Sequence, residues 1–67
     1  MTIAEYLTKH AMTSTAFAEM IGVPVSTVTR WRRGEAVPNI FHVYDIEAIT
    51  QGRVTLRDFV KFYRGKQ

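Results

Sequence analysis

The sequence contains no cysteine, and this absence removes several kinds of site. Without cysteine there is neither a disulfide framework nor a thiolate metal site. The two histidines, His10 and His42, are isolated from other metal ligands, so we expect no metal and no other cofactor. No Ser/His/acid spacing, paired carboxylate or glycine-rich phosphate loop is present either, and we therefore do not expect an enzyme.

Long hydrophobic runs are also absent. Glu5, Lys9, His10 and Glu19 interrupt the first 21 residues, a pattern that fits neither a signal peptide nor a membrane span. We therefore expect a cytoplasmic protein without a membrane partner. The 67 residues include no linker-like segment, so a single domain over residues 1–67 is predicted.

Acidic residues are outnumbered, and the basic ones are clustered. Nine Lys and Arg against six Asp and Glu give a net charge of +3. Arg30, Arg32 and Arg33 surround Trp31, and residues 53–67 carry further basic side chains. A positive surface favours an acidic partner such as a nucleic acid, whereas simple solubility is the alternative interpretation.

Capping residues and helix breakers divide the sequence into five short helices. Thr2 and Glu5 have the spacing of a capping box, and Gly22 is suited to end a helix because glycine readily adopts positive φ. Pro24 is excluded from a helix interior but is acceptable at the start of one. The predicted N-caps include Thr2, Thr13, Asn39 and Thr55. The predicted helices cover residues 3–10, 14–21, 25–33, about 40–50 and a last segment that follows Thr55.

The fourth predicted helix is more apolar than one buried face requires. Seven of the eleven residues at 40–50 are apolar, among them Phe41 and Tyr44. Two interpretations remain open for this surplus: the side chains belong to the core, or they pack against a second copy of the chain.

The second and third predicted helices have the layout of a helix-turn-helix. Ala18 is small where the two helices approach, and Gly22 permits a sharp turn between them. Val28 and Trp31, three residues apart, define the inner face of the third helix and leave its polar side chains outside. An all-α domain with an outward-facing polar helix is therefore predicted.

The segment "FAEMIGVPVSTVTRWRRGEAVP" resembles the Cro and repressor family (XRE type) of phage and bacterial DNA-binding proteins. Trp31, Gly34 and Pro38 match further positions of that pattern. The tail "IEAITQGRVTLRDF" is similar to the end of small Cro-like proteins, so the resemblance covers about residues 3–62. It implies five helices in the lambda-repressor-like fold, with the helix-turn-helix at about 14–33.

The resemblance also implies a role for individual residues. The third helix would be the recognition helix, which presents its outward side chains to the bases of double-stranded DNA. The implied base contacts are Val25, Ser26, Thr29, Arg30 and Arg33. The implied contacts to the DNA backbone are Thr13, Ser14, Thr15, Thr27, Arg32, Asn39 and Ile40.

Three positions depart from the family's pattern. Val25 stands where lambdoid relatives often carry Gln, so a bidentate contact to adenine is lost and a contact to a thymine methyl group becomes possible. Pro24 replaces a hydroxyl cap, and Arg32 lies where many relatives have Glu. These departures affect the operator sequence rather than the mode of binding.

These patterns predict a sequence-specific regulator of transcription, located in the cytoplasm on the nucleoid. The expected mode is that of a Cro-like phage repressor: a homodimer occupies a palindromic operator and blocks polymerase, with no small-molecule ligand. The alternative is an antitoxin-type or accessory regulator that acts partly as a protein-interaction module. The predicted dimer contacts are Phe41, Tyr44, Phe62 and Tyr63.

Overall fold

The computed structural model describes the backbone of residues 1–65 and the side chains of residues 1–60. Its helices are α1 Ile3–Lys9, α2 Ser14–Ile21, α3 Val25–Arg33, α4 Ile40–Ile49 and α5 Leu56–Gly65, and this part of the chain has no strand. The predicted all-α fold is confirmed, although the first and fourth helices end one residue earlier than predicted. The longest of these helices has 10 residues, and none is long and apolar enough to cross a membrane.

Side-chain caps begin α1, α2 and α4 at the predicted positions. In the box at α1, the backbone N–H of Glu5 donates to Thr2 Oγ1 at 3.1 Å, and that of Thr2 donates to Glu5 Oε1 at 2.9 Å. The hydrogen bond from the Thr2 backbone is the main reason why the pKa of Glu5 lies below its usual value. Thr13 Oγ1 and Asn39 Oδ1 accept the third amide of α2 and α4 at 3.1 and 2.9 Å.

The start of α5 is held by more groups than the capping pattern predicts. The Thr55 N–H donates to Asp58 Oδ2 at 2.8 Å, but the Thr55 hydroxyl donates to the same oxygen instead of accepting from the helix. Glu47 of α4 accepts the amide of Leu56 at 2.9 Å. Partial burial raises the pKa of Asp58, yet the hydrogen bonds from Thr55 and from the amino group of Met1 outweigh it, and this pKa lies below its usual value.

A buried threonine joins the end of α4 to the segment before α5. Thr50 is 1% exposed, and its hydroxyl donates to the Ile46 carbonyl at 2.7 Å and accepts from the Val54 N–H at 3.1 Å. An unpaired buried polar group costs about 1–3 kcal/mol, so this hydroxyl favours one path for the chain between the two helices.

All five helices contribute to one apolar core. Trp31 lies in it with 6% of its surface exposed and Val28 is fully buried, which confirms the predicted inner face of α3. Phe17 and Ala18 of α2 belong to the same cluster, so the two helices of the helix-turn-helix share this core. The other buried members of this core cluster are Ile3, Tyr6, Leu7, Val43, Ile46, Val54 and Phe59.

Replacing Trp31 tests the core. Trp31→Ala removes a large buried side chain, and we expect it to lower the free energy of unfolding by about 3–5 kcal/mol, enough to unfold much of so small a domain. Thermal unfolding followed by circular dichroism measures the loss. Trp31→Phe, which keeps a large apolar ring, should lose less. A Trp31→Ala variant that unfolds at the wild-type temperature would contradict this assignment.

Candidate nucleic-acid interface

The turn between α2 and α3 is made by Gly22. This residue ends α2 in the left-handed conformation, with φ 85° and ψ 35°, and its N–H donates to the Ala18 carbonyl at 2.8 Å. A Cβ atom at Gly22 would meet nothing within 4 Å, so the requirement for glycine here is one of backbone conformation and not of space. Ala18 is 3% exposed, as expected for a close approach of the two helices.

The orientation of α3 is fixed by its inner face. Val28 and Trp31 are buried, and the Trp31 ring also packs against His42 of α4, with ring centroids 5.5 Å apart at an angle of 53°. Successive residues of a helix are about 100° apart, so burial of these two side chains determines which residues face outward.

Most of the predicted base contacts lie on the outward face. Ser26, Arg30 and Arg33 are exposed, and Val25 is 44% exposed. Thr29 is only half-buried, and its hydroxyl donates to the Val25 carbonyl at 3.0 Å. The structure therefore brings these five predicted residues to one surface, with the Thr29 hydroxyl already engaged within the helix.

Positive charge is concentrated at the end of α3. Arg30, Arg32 and Arg33 occupy its last turn, which Gly34 closes with φ 75°. Cations are favoured at a helix C-terminus by about 0.3–1 kcal/mol each, so this location also stabilises the helix. Together the three arginines make the C-terminal end of α3 strongly positive.

A contact between distant residues joins α3 to the start of α2. Arg32 Nη1 donates to Ser14 Oγ at 3.3 Å, across 18 residues of sequence. The first amides of a helix lack intrahelical acceptors and favour anions, and here a guanidinium group lies beside them. Thr13 and Thr15, which flank Ser14, are exposed. Sequence reasoning named both Ser14 and Arg32 but did not predict that they are in contact.

The remaining predicted backbone contacts occupy the edges of this surface. Thr27 is half-buried, and its N–H donates to the Pro24 carbonyl at 3.0 Å. Asn39 and Ile40 are exposed at the start of α4, where the Asn39 side chain is engaged in capping.

Helix α4 exposes part of its apolar surplus. Phe41 is 78% exposed and Tyr44 is 75% exposed, and Ile40 lies beside them on the same face. The interpretation that Phe41 and Tyr44 are core residues is therefore wrong for the chain by itself. We call Ile40, Phe41 and Tyr44 the α4 patch. The side chains of Phe62 and Tyr63, the other two predicted dimer contacts, lie outside the described residues.

Comparison with known proteins agrees with this arrangement. The helix-turn-helix family model matches residues 3–56. An uncharacterized HTH-type transcriptional regulator of Haemophilus influenzae is 41% identical to the chain over 46 residues, which make up 69% of this chain but 19% of that protein. The match thus spans about a fifth of the relative's length. No solved structure gives a significant match. The chain belongs to the XRE-type helix-turn-helix family of DNA-binding regulators.

Proposed function

We propose that this domain represses transcription by binding a specific double-stranded DNA operator with α3 in the major groove. The observation that carries the proposal is the outward face of α3, which combines exposed Ser26 and Arg30 with the basic last turn of the helix. A major groove about 12 Å wide admits an α-helix, and base edges there are distinguishable by their donors and acceptors. An operator occupied in this way excludes polymerase from an overlapping promoter.

Arg30 is the proposed reader of guanine. Its guanidinium group is exposed, and Arg forms two hydrogen bonds with O6 and N7 of guanine in the commonest specific contact to DNA. Ser26 lies four residues earlier on the same face and is proposed to contact a neighbouring base. Arg33, further along the outward face, is proposed to contact an adjacent base.

The proposed contacts to phosphate lie around α3. The contact between Arg32 and Ser14 puts a cation beside the start of α2, an arrangement suited to a phosphate. The exposed threonines Thr13 and Thr15, which flank Ser14 in the sequence, are proposed as further contacts to phosphate. The proposed phosphate contacts at the other edges of the α3 surface are Thr27 and Asn39, together with the backbone amide of Ile40.

The α4 patch is the proposed dimer contact. Large exposed aromatic side chains on a small domain are typical of a protein-protein interface, and Phe41 and Tyr44 are more than 70% exposed. We propose that two chains pair about a two-fold axis through this patch, with Phe62 and Tyr63 as further contacts. The same patch is the observation that favours the alternative, a module that binds another protein and makes little use of DNA.

Salt dependence separates these two functions. If the domain binds DNA through several phosphates, the logarithm of affinity should fall steeply with the logarithm of salt concentration, with a slope of about −0.9 per phosphate. Arg32→Gln should make this slope shallower by about one phosphate. Arg57→Gln, an exposed arginine on α5, is the matched control and should leave the slope unchanged. Affinity for DNA that does not respond to salt would contradict the proposal.

Arg30→Ala tests the reading of guanine. We expect a loss of about 1–3 kcal/mol on the best operator and a relaxed preference at one base pair, because the bidentate contact is removed. Arg30→Lys keeps the charge but lacks the planar fork, so it should retain more nonspecific affinity than Arg30→Ala while losing the same preference. Binding to a library of operator variants measures both. Equal weakening on every sequence would show that Arg30 contacts only phosphate.

The sequence of the operator tests the dimer. Selection of bound fragments from random duplex DNA should yield an inverted repeat, with half-sites centred about 34 Å apart, one turn of the duplex. Native mass measurement should find two chains on it. Phe41→Ala combined with Tyr44→Ala should weaken the second chain's binding, whereas Leu56→Ala, another exposed apolar residue, should not. An asymmetric site that one chain binds tightly would contradict pairing.

A further inference from the structure

The hydroxyl group of Thr29 is committed to its own helix. Thr29 Oγ1 donates to the carbonyl of Val25, four residues earlier, at 3.0 Å. A threonine hydroxyl has one proton and a carbonyl oxygen can only accept, so this proton is engaged by the carbonyl of Val25 and is not available to a base. In this conformation the Thr29 side chain has no donor left for a base, and its methyl group is the part that can make an apolar contact.

Val25 and Pro24 extend this lack of donors to the start of α3. Both are exposed, and the N-cap residue Pro24 makes no side-chain hydrogen bond. Val25 lies on the same face of the helix as Thr29, because four residues complete about one turn. We call Val25 and Thr29 the apolar row. Ser26 and Arg30 form a parallel polar row about 100° further round the helix.

The two rows suit different features of the major groove. The polar row matches base donors and acceptors, but an apolar row placed against them would leave those groups desolvated and unpaired. The groove offers one apolar feature on the standard bases, the C5-methyl group of thymine. Two methyl-bearing side chains on one helix face fit that feature.

We propose that the apolar row reads the C5-methyl group of thymine, so that each half of the operator is selected partly by methyl contacts. This inference rests on the proposed function, because it concerns what the same helix recognises in the groove. It assigns Val25 and Thr29 as residues that determine specificity through shape and apolar burial. The polar row and the basic last turn of α3 retain their roles toward base edges and phosphates.

Replacing thymine by uracil in the DNA is the most direct experiment. Deoxyuridine keeps the base pairing and removes only the methyl group. Each thymine in one half of the selected duplex is replaced in turn, and binding of the full chain is measured. We expect affinity to fall about fourfold at one or two positions, the factor that corresponds to burying one methyl-sized group, and to be unchanged elsewhere. The salt slope should stay the same, because no phosphate contact changes.

Variants of the apolar row identify which side chain is responsible. Thr29→Ser keeps the hydroxyl and loses the methyl group, and it should abolish the uracil effect at one position. Thr29→Val keeps the methyl group and loses the hydroxyl, and it should keep the uracil effect at that position. Val25→Ala should abolish the effect at the other position. Ser26→Ala, in the polar row, should leave both uracil effects in place.

Each contrary outcome has a distinct meaning. If Thr29→Val removes discrimination while Thr29→Ser preserves it, the hydroxyl group reads the base and the inference is wrong. The inference is also wrong if replacement of thymine by uracil leaves the affinity unchanged, or if the selected half-site contains no thymine. In both cases the proposed binding of DNA is not contradicted. If no duplex is selected from the library, the proposed function fails and the inference fails with it.

Discussion

Burial of one face of α3 is the constraint on which the rest of the surface depends. Val28 and Trp31 are held in the core, and Trp31 also packs against His42 of α4. Since helical residues follow at about 100°, these two positions fix the direction of every other side chain on α3. Turning the helix by one residue would bury Arg30 or Arg32 in the place of Trp31. An unpaired buried charge costs more than a domain of this size can offset, so the outward face is uniquely determined.

The features that could be predicted from sequence depend on nearby residues. The capping box of Thr2 and Glu5 and the left-handed turn at Gly22 follow from local backbone chemistry, and the structure confirms both. The inner face of α3 was predictable because its largest apolar side chain, Trp31, shares one side with Val28, whereas the polar and basic side chains are concentrated elsewhere on the helix. Helix α4 is apolar on several sides, so its sequence left the exposure of Phe41 and Tyr44 undetermined until the packing was known.

Contacts between residues far apart in the sequence were not predictable in this way, and neither was the rotamer of Thr29. Arg32 and Ser14 meet only because α2 and α3 pack together, and the sequence contains no pattern that links positions 18 residues apart. The buried Thr50 hydroxyl bridges the end of α4 and the segment before α5, a role that depends on the path of the chain. The Thr29 hydroxyl has two available rotamers in a helix, and its hydrogen bond to the Val25 carbonyl shows which of them is adopted.

In the proposed complex with DNA, affinity and specificity come from different physical terms. Attraction between three clustered arginines and phosphates acts on every DNA sequence and weakens as salt rises. Such attraction alone would distribute the domain over the whole genome. Discrimination therefore needs contacts of short range, and the base contacts proposed for α3 are of this kind: bidentate hydrogen bonds depend on angle, and methyl burial depends on shape. Both kinds of contact require a helix whose orientation is fixed. Under this proposal, the core that holds Trp31 is as necessary to the choice of sequence as the residues proposed to enter the groove.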